Sequence, residues 1–296
     1  MVGLAFAAAA PGAAQASGHA RDTVFTETND AGANTVLAYD RAPDGSLQPA
    51  GSYLTGGLGA GSGLGSQGAV ALSDDGRLLL AVDAGSDDVA AFRVTGHGLR
   101  LAGRAPSGGD RPVSVSIRGD EAYVLNAGGV PNVSGLAIGR RGTLTQRSGA
   151  IASLPAGAAG AAQVSISPDG ERLVVTEKGT NRIDAFALDR HGLPSGSAVS
   201  TPSSGATPFG FAFTRTGTLV VSEAAASTVS SYRAAAAGFF GVVTASALTH
   251  QGAACWIAVT GDGRFAYSAN ASTGSISGFR VARDGSLTLL DPDGRT

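Results

Sequence analysis

The chain has 296 residues, 43% of them hydrophobic and 15% charged, with a formal net charge of −2. This apolar content excludes a disordered chain and is ample for a large core, and the near-neutral balance lacks the basic footprint of a nucleic-acid-binding protein. Gly, at 45 residues without a collagen period, points to many tight turns between short strands.

Residues 1–20, MVGLAFAAAAPGAAQASGHA, form an apolar, Ala-rich leader that ends in small residues. Ala14-Gln15-Ala16 fits an A-x-A cleavage signal and predicts a secreted protein, although no Lys or Arg precedes Arg21. The plainer alternative is a disordered leader. The run is too short and too Ala-rich for a membrane span. Residues 21–296 read as a single domain. Cys255 is the sole cysteine, so no intramolecular disulfide can form, and a buried core thiol is expected there.

The rest of the chain is one pattern repeated. VFTETNDAGANTVLAYDRAPDGSL begins at Val24, and VALSDDGRLLLAVDAGSDDVAAFRVTGHGL at Val70. VSIRGDEAYVLNAGGVPNVSGLAIGRRGTL begins at Val115, and SPDGERLVVTEKGTNRIDAFALDRHGL at Ser167. FAFTRTGTLVVSEAAASTVSSYRA begins at Phe211, and IAVTGDGRFAYSANASTGSISGFRVARDGSL at Ile257. The bulky residue of the third run recurs as Tyr39, Phe92, Leu136, Phe186, Tyr232 and Phe279, a period in the range of propellers and solenoids.

Each unit predicts four strands, a to d. In the fourth unit, strand a covers 163–167, strand b 173–176 and strand c 183–188, with strand d after the His191-Gly192 turn. Asp75-Gly76, Asp169-Gly170 and Asp262-Gly263 fill the a–b turn, and Asp44-Gly45 and Asp284-Gly285 the c–d turn. Asp-Gly suits such hairpins because the turn needs positive φ. No helical stripe appears. The expected fold is all-β, a propeller with blades around a central channel. The first unit lacks strand a, which gives five full blades plus a partial first one.

Glu177 ends strand b, where the other units carry Asn29, Asp83, Asn126, Glu223 and Asn270. Asn and Asp suit this place as turn formers, and Glu does not. Two roles therefore stand open for Glu177 and Glu223: turn chemistry, or an acid and a base on neighbouring blades near one channel mouth. Gln163 and Trp256 open strand a of their units. Trp256 either stacks on a sugar or lactone ring or plugs the channel. Arg111, in a d–a loop, is the candidate anion-facing cation. Asn126 and Asn270 are candidate ligand contacts. His97 and His191 are turn residues, no histidine spacing suits a metal, and no cofactor is expected.

The segments SPDGERLVVTEKGTNRI, DDGRLLLAVDAGSDDVAAFRV and GDGRFAYSANASTGSISGFRVARDGSLTLL resemble the lactonase-like β-propellers, the 6-phosphogluconolactonase and carboxymuconate-cyclase types, whose blades are akin to YVTN repeats. The likeness runs from about Thr23 to Leu290. It implies seven blades, a small-molecule lactone or sugar-like ligand, and an activity of lactone hydrolase or muconate-cyclase type. Two departures stand out. No histidine opens strand a, so Arg111 with Glu177 or Glu223 has to replace the general base. The unit count also falls short of seven, so a gap in the ring or a missing last blade is expected. The alternative to an enzyme is a non-catalytic scaffold that binds an extracellular ligand or protein.

Overall fold

The computed structural model describes residues 23–235 and 238–296. The leader and its expected cleavage site lie outside the described residues. The first sheet holds β1 (Thr23–Glu27), β2 (Thr35–Arg41) and β3 (Leu47–Leu54). The second holds β4 (Val70–Leu72), β5 (Leu78–Asp83), β6 (Asp88–Thr95) and β7 (Gly98–Pro106). The third holds β8 (Pro112–Arg118), β9 (Glu121–Asn126), β10 (Asn132–Ile138) and β11 (Leu144–Ser153). The fourth holds β12 (Ala161–Ile166), β13 (Arg172–Glu177), β14 (Arg182–Leu188) and β15 (Pro194–Pro202). The fifth holds β16 (Pro208–Phe213), β17 (Leu219–Glu223), β18 (Thr228–Ala234) and β19 (Phe240–Leu248). The sixth holds β20 (Ala254–Val259), β21 (Phe265–Asn270), β22 (Ser275–Val281) and β23 (Leu287–Leu289).

Every sheet is an antiparallel meander in chain order, and together they form a β-propeller of four-stranded blades whose first sheet has three strands. Six blades are present among the described residues. This corrects the expected seven, and it also corrects the view of the first unit as a fragment, because β1, β2 and β3 pair along their whole length as a blade of their own.

The Asp-Gly turns form as their chemistry requires. In the second blade Gly76 sits at φ 68, Gly76 N–H donates to Ser73 O at 2.8 Å, and Asp75 Oδ1 accepts from Arg77 N–H at 3.0 Å. The carboxylate thus holds the turn that glycine permits. His97 and His191 lie in exposed c–d turns, where their N–H groups donate to Thr95 Oγ1 and Asp189 Oδ1.

The bulky strand-c residue of each unit points at the preceding blade. Phe92 packs with Val36 of the first blade, Leu136 with Val82 and Val89 of the second, and Phe186 with Leu125 of the third. These side chains are almost wholly buried. Tyr39 faces the same way and is only half-buried, since no blade packs on that face among the described residues. Of the four apolar clusters, none joins the first blade to the sixth. Trp256, Ala269 and Ile276 are paired across the sixth blade on the face turned away from the fifth, and Trp256 and Ile276 are 45% and 50% exposed.

Blade-on-blade burial sets the cost of truncation. Phe186→Ala is expected to lose about 3–5 kcal/mol of stability, and Tyr39→Ala only about 1 kcal/mol. Urea titration of the two variants checks this difference, and equal losses contradict it.

Candidate functional site

The strand-b ends share a structural task. Asn126, Glu223 and Asn270 are all buried. Asn126 Nδ2 donates to Ser107 O at 3.2 Å and Asn132 Oδ1 at 3.0 Å, which ties a d–a loop to strand c. Asn270 Nδ2 donates to Ser277 Oγ at 2.8 Å and Ser275 Oγ at 3.2 Å. The carboxylate of Glu223 accepts from Ser203 Oγ, Gly205 N–H, Thr228 Oγ1, Ser230 Oγ and Tyr232 OH. Four of these donors converge on Oε1 and one on Oε2, and the side chain is sealed from solvent, which leaves no path for an entering water.

Glu177 is equally buried but less satisfied. Thr180 Oγ1 donates to its Oε2 at 2.6 Å, and Oε1 has no hydrogen-bond partner. Burial, and then the neighbouring Asp184 carboxylate, raise its pKa to about 7. Asp83 in the second blade is raised to about 7 by burial, with Asp88 adding to it, while Thr55 Oγ1 and Asn34 Nδ2 donate to its Oδ1.

The channel is stitched shut by amides. Gln163 Oε1 accepts from Phe211 N–H at 2.6 Å, and its Nε2 donates to Phe211 O at 2.8 Å, so the side chain joins the inner strands of blades four and five. Gln67 does the same from the β3–β4 linker. Its Oε1 accepts from Ile257 N–H at 2.9 Å, its Nε2 donates to Ile257 O at 3.0 Å, and its backbone N–H donates to Ala162 O at 3.1 Å.

Beside Gln67 several polar side chains line accessible space. A cleft of about 540 Å³ is lined by the end of β1, the linker from Gly61 to Ser66, Ala69 and Trp256. It lies beside the inner edge of β1, which no strand covers among the described residues. Trp256 Nε1 donates to Ser66 O at 3.0 Å, and its ring meets Phe209 edge-on at 5.7 Å. Lys178 Nζ donates to Gly65 O and stands 4.9 Å over the Phe209 ring. The pKa of Lys178 is lowered, chiefly by burial and further by the charge of Arg111, against the pull of Cys255. Arg111 itself has left-handed backbone at φ 52, with its N–H on Asp87 Oδ1. Glu27 also lines the cleft. Its Oε1 is buried without a hydrogen-bond partner, and burial raises its pKa to about 8, with Asp83 adding to the shift and Asn34 opposing it.

The structure therefore brings Trp256 to the cleft and Lys178 onto its linker, with Arg111 near enough for its charge to act on Lys178, but it does not bring Glu177 and Glu223 into one cleft. Glu27 and Lys178 escaped the sequence reading. The available signal was weak: a glutamate two residues before Asn29, and a lysine next to Glu177 in sequence. A larger cleft of about 1430 Å³ opens beside the third and fourth blades. Two of its four arginines are held in ion pairs, Arg147 on Glu121 at 3.0 Å and Arg172 on Asp169 at 3.4 Å. No group of three or more metal-ligating side chains occurs among the described residues.

With this architecture in view, comparison with known proteins defines the class. Residues 131–238 match the family of the seven-bladed lactonase β-propellers. A functionally unknown protein from Desulfotomaculum acetoxidans superposes with a TM-score of 0.70 at 13% identity, over 91% of this chain and 78% of its own. A 6-phosphogluconolactonase-like protein from Bacteroides uniformis gives 0.67 at 20% identity, over 87% and 77%. The periplasmic gluconolactonase of Pseudomonas aeruginosa gives 0.64 at 18%, over 91% and 81%. No curated protein sequence matches the chain. The chain is a β-propeller that resembles the lactonase family over residues 131–238.

The raised carboxyl groups have a sign that can be measured. Glu177 and Asp83 keep their protons in the fold up to about pH 7 and release them near their ordinary values of 4.5 and 3.8 when unfolded. The folded state then binds more protons between those limits, so stability falls as pH rises across that window, and Glu27, raised to about 8, carries the fall somewhat further. Melting temperatures from pH 5 to 8 should decline, and Glu177→Gln should flatten part of the slope. An unchanged slope in that variant contradicts the assignment.

Proposed function

We propose that this protein is an exported lactonase-like enzyme that opens a small sugar-like lactone in the cleft at the channel mouth. The observation that carries the reading is a cleft lined by an aromatic platform and by a carboxyl with an unpartnered oxygen, with a partly desolvated ammonium bonded to the linker that forms its wall. Trp256 offers its ring to the face of a sugar-like substrate. Glu27 takes a proton from water, and the hydroxide attacks the lactone carbonyl carbon. The oxygen that becomes negative is met by Lys178, with Arg111 adding positive potential nearby. Collapse of the tetrahedral intermediate breaks the bond to the ring oxygen, which takes the proton back from Glu27. The product is the open hydroxy acid. Ala14-Gln15-Ala16 supports export.

The engagement of Glu223 by five donors, and of Gln163 by both backbone groups of Phe211, favours one second reading. In it the same mouth binds a sugar-like ligand without turning it over.

Hydrolysis of a panel of sugar and aromatic lactones tests the proposal. Turnover of a sugar lactone is expected, with kcat rising with pH through about 8 as Glu27 loses its proton. Glu27→Gln should abolish that rise, Lys178→Met should cut kcat by roughly 100-fold, and Trp256→Ala should act mainly on KM. Full activity in Glu27→Gln contradicts the mechanism, and no turnover with retained binding supports the second reading.

A further inference from the structure

The cleft is partly filled by the protein's own backbone. The segment from Gly61 to Gln67 crosses the mouth, and two side chains from different blades reach for consecutive carbonyls in it: Lys178 for Gly65 O and Trp256 for Ser66 O. These are the same two groups assigned to the substrate. From Ser62 to Ser66 no backbone N–H finds a protein acceptor among the described residues, and the Ser66 hydroxyl is buried without a partner. The segment is therefore held by its carbonyls, its ends and one half-buried side chain, Leu64, which leans on the clusters of the second, third and fourth blades.

The two ends are fixed differently. Gln67 anchors one end in the channel. At the other, Asn29 Nδ2 donates to Ser62 O at 2.5 Å, and Asn29 Oδ1 accepts from Ala60 N–H at 2.7 Å. Gly61, Gly65 and Gly68 have φ of 66, 63 and 84, positions where glycine swings at low cost.

We propose that residues 61–67 are a displaceable strap that occupies the ligand's place, its Gly65 and Ser66 carbonyls standing where two acceptor oxygens of a lactone or sugar-like ligand bind. The inference rests on the reading of this cleft as the ligand site. The exchange leaves no donor stranded. Lys178 and Trp256 pass from backbone carbonyls to ligand oxygens, and the freed carbonyls pass to water, so the hydrogen-bond balance is nearly even. Leu64 and the Asn29 bonds hold the strap closed when no ligand is present. The apparent affinity is then the intrinsic affinity reduced by the fraction of open strap.

Two measurements with glucono-1,5-lactam, which cannot be opened by the proposed chemistry, test the strap. Asn29→Gly removes both side-chain bonds while keeping the left-handed backbone at φ 52 strain-free. Its dissociation constant by calorimetry should fall roughly tenfold below the parent's. In the second, a bimane fluorophore is attached at Gly63→Cys, where an added side chain meets nothing within 4 Å. Bimane is quenched by contact with tryptophan, Trp256 is the only tryptophan of the chain, and the buried Cys255 stays unlabelled. Lactam should relieve the quenching as the strap leaves. Binding without relief, or equal affinities in parent and Asn29→Gly, overturns the strap and leaves the lactone site standing. Absence of lactam binding overturns the strap and the site beneath it together.

Discussion

A blade of this propeller buries its bulkiest side chain only by borrowing the surface of the blade before it. Phe92, Leu136, Phe186, Tyr232 and Phe279 all follow that rule, and Tyr39, with no blade packed on it among the described residues, stays half-buried. The constraint fixes the order of blades around the axis and brings the strand-b ends and d–a loops to one face. It also leaves the inner strands facing a channel, where their polar backbone groups need partners. Gln163 and Gln67 supply them across neighbouring blades, and Ser222 Oγ donates to Cys255 O at 2.5 Å in the same manner.

Those stitches explain why so few conspicuous residues are free for chemistry. A buried polar group left unpaired costs about 1–3 kcal/mol, so the channel and loop junctions claim most amides, hydroxyls and carboxylates for themselves. Glu223 and Asn126 are such groups. What remains for a ligand lies at the mouth, where no strand covers the inner edge of β1 among the described residues and the linker from β3 to β4 runs across the cleft. Trp256, Lys178 and Glu27 collect there because three separate blades end at that point.

Much of the fold was legible in the sequence because it is written in local chemistry. Asp169-Gly170 and its copies mark turns whose φ only glycine meets easily, and the third-run residues mark a packing face that recurs once per blade. The blade count was less legible. The resemblance implied seven, and nothing local in β1 to β3 shows that three strands form a blade of their own. The site was the least legible part. Gln67 meets Ile257 across 190 residues of sequence, and Trp256 meets Ser66 across the same separation. No spacing rule reports a contact of that kind. Glu177 and Glu223 drew attention as odd residues in a repeat, and their oddness is accounted for by the extra hydroxyl donors around them, Thr180 beside one and Ser203, Thr228 and Ser230 beside the other.

The indole N–H of Trp256 reports on the mouth without ambiguity, since the chain contains one tryptophan and hence one indole resonance. A proton–nitrogen correlation spectrum recorded with and without saturating glucono-1,5-lactam tests the central claim most directly. The account predicts that this resonance shifts as the indole exchanges Ser66 O for a ligand oxygen. A resonance that stays in place while the protein continues to hydrolyse a sugar lactone would contradict it.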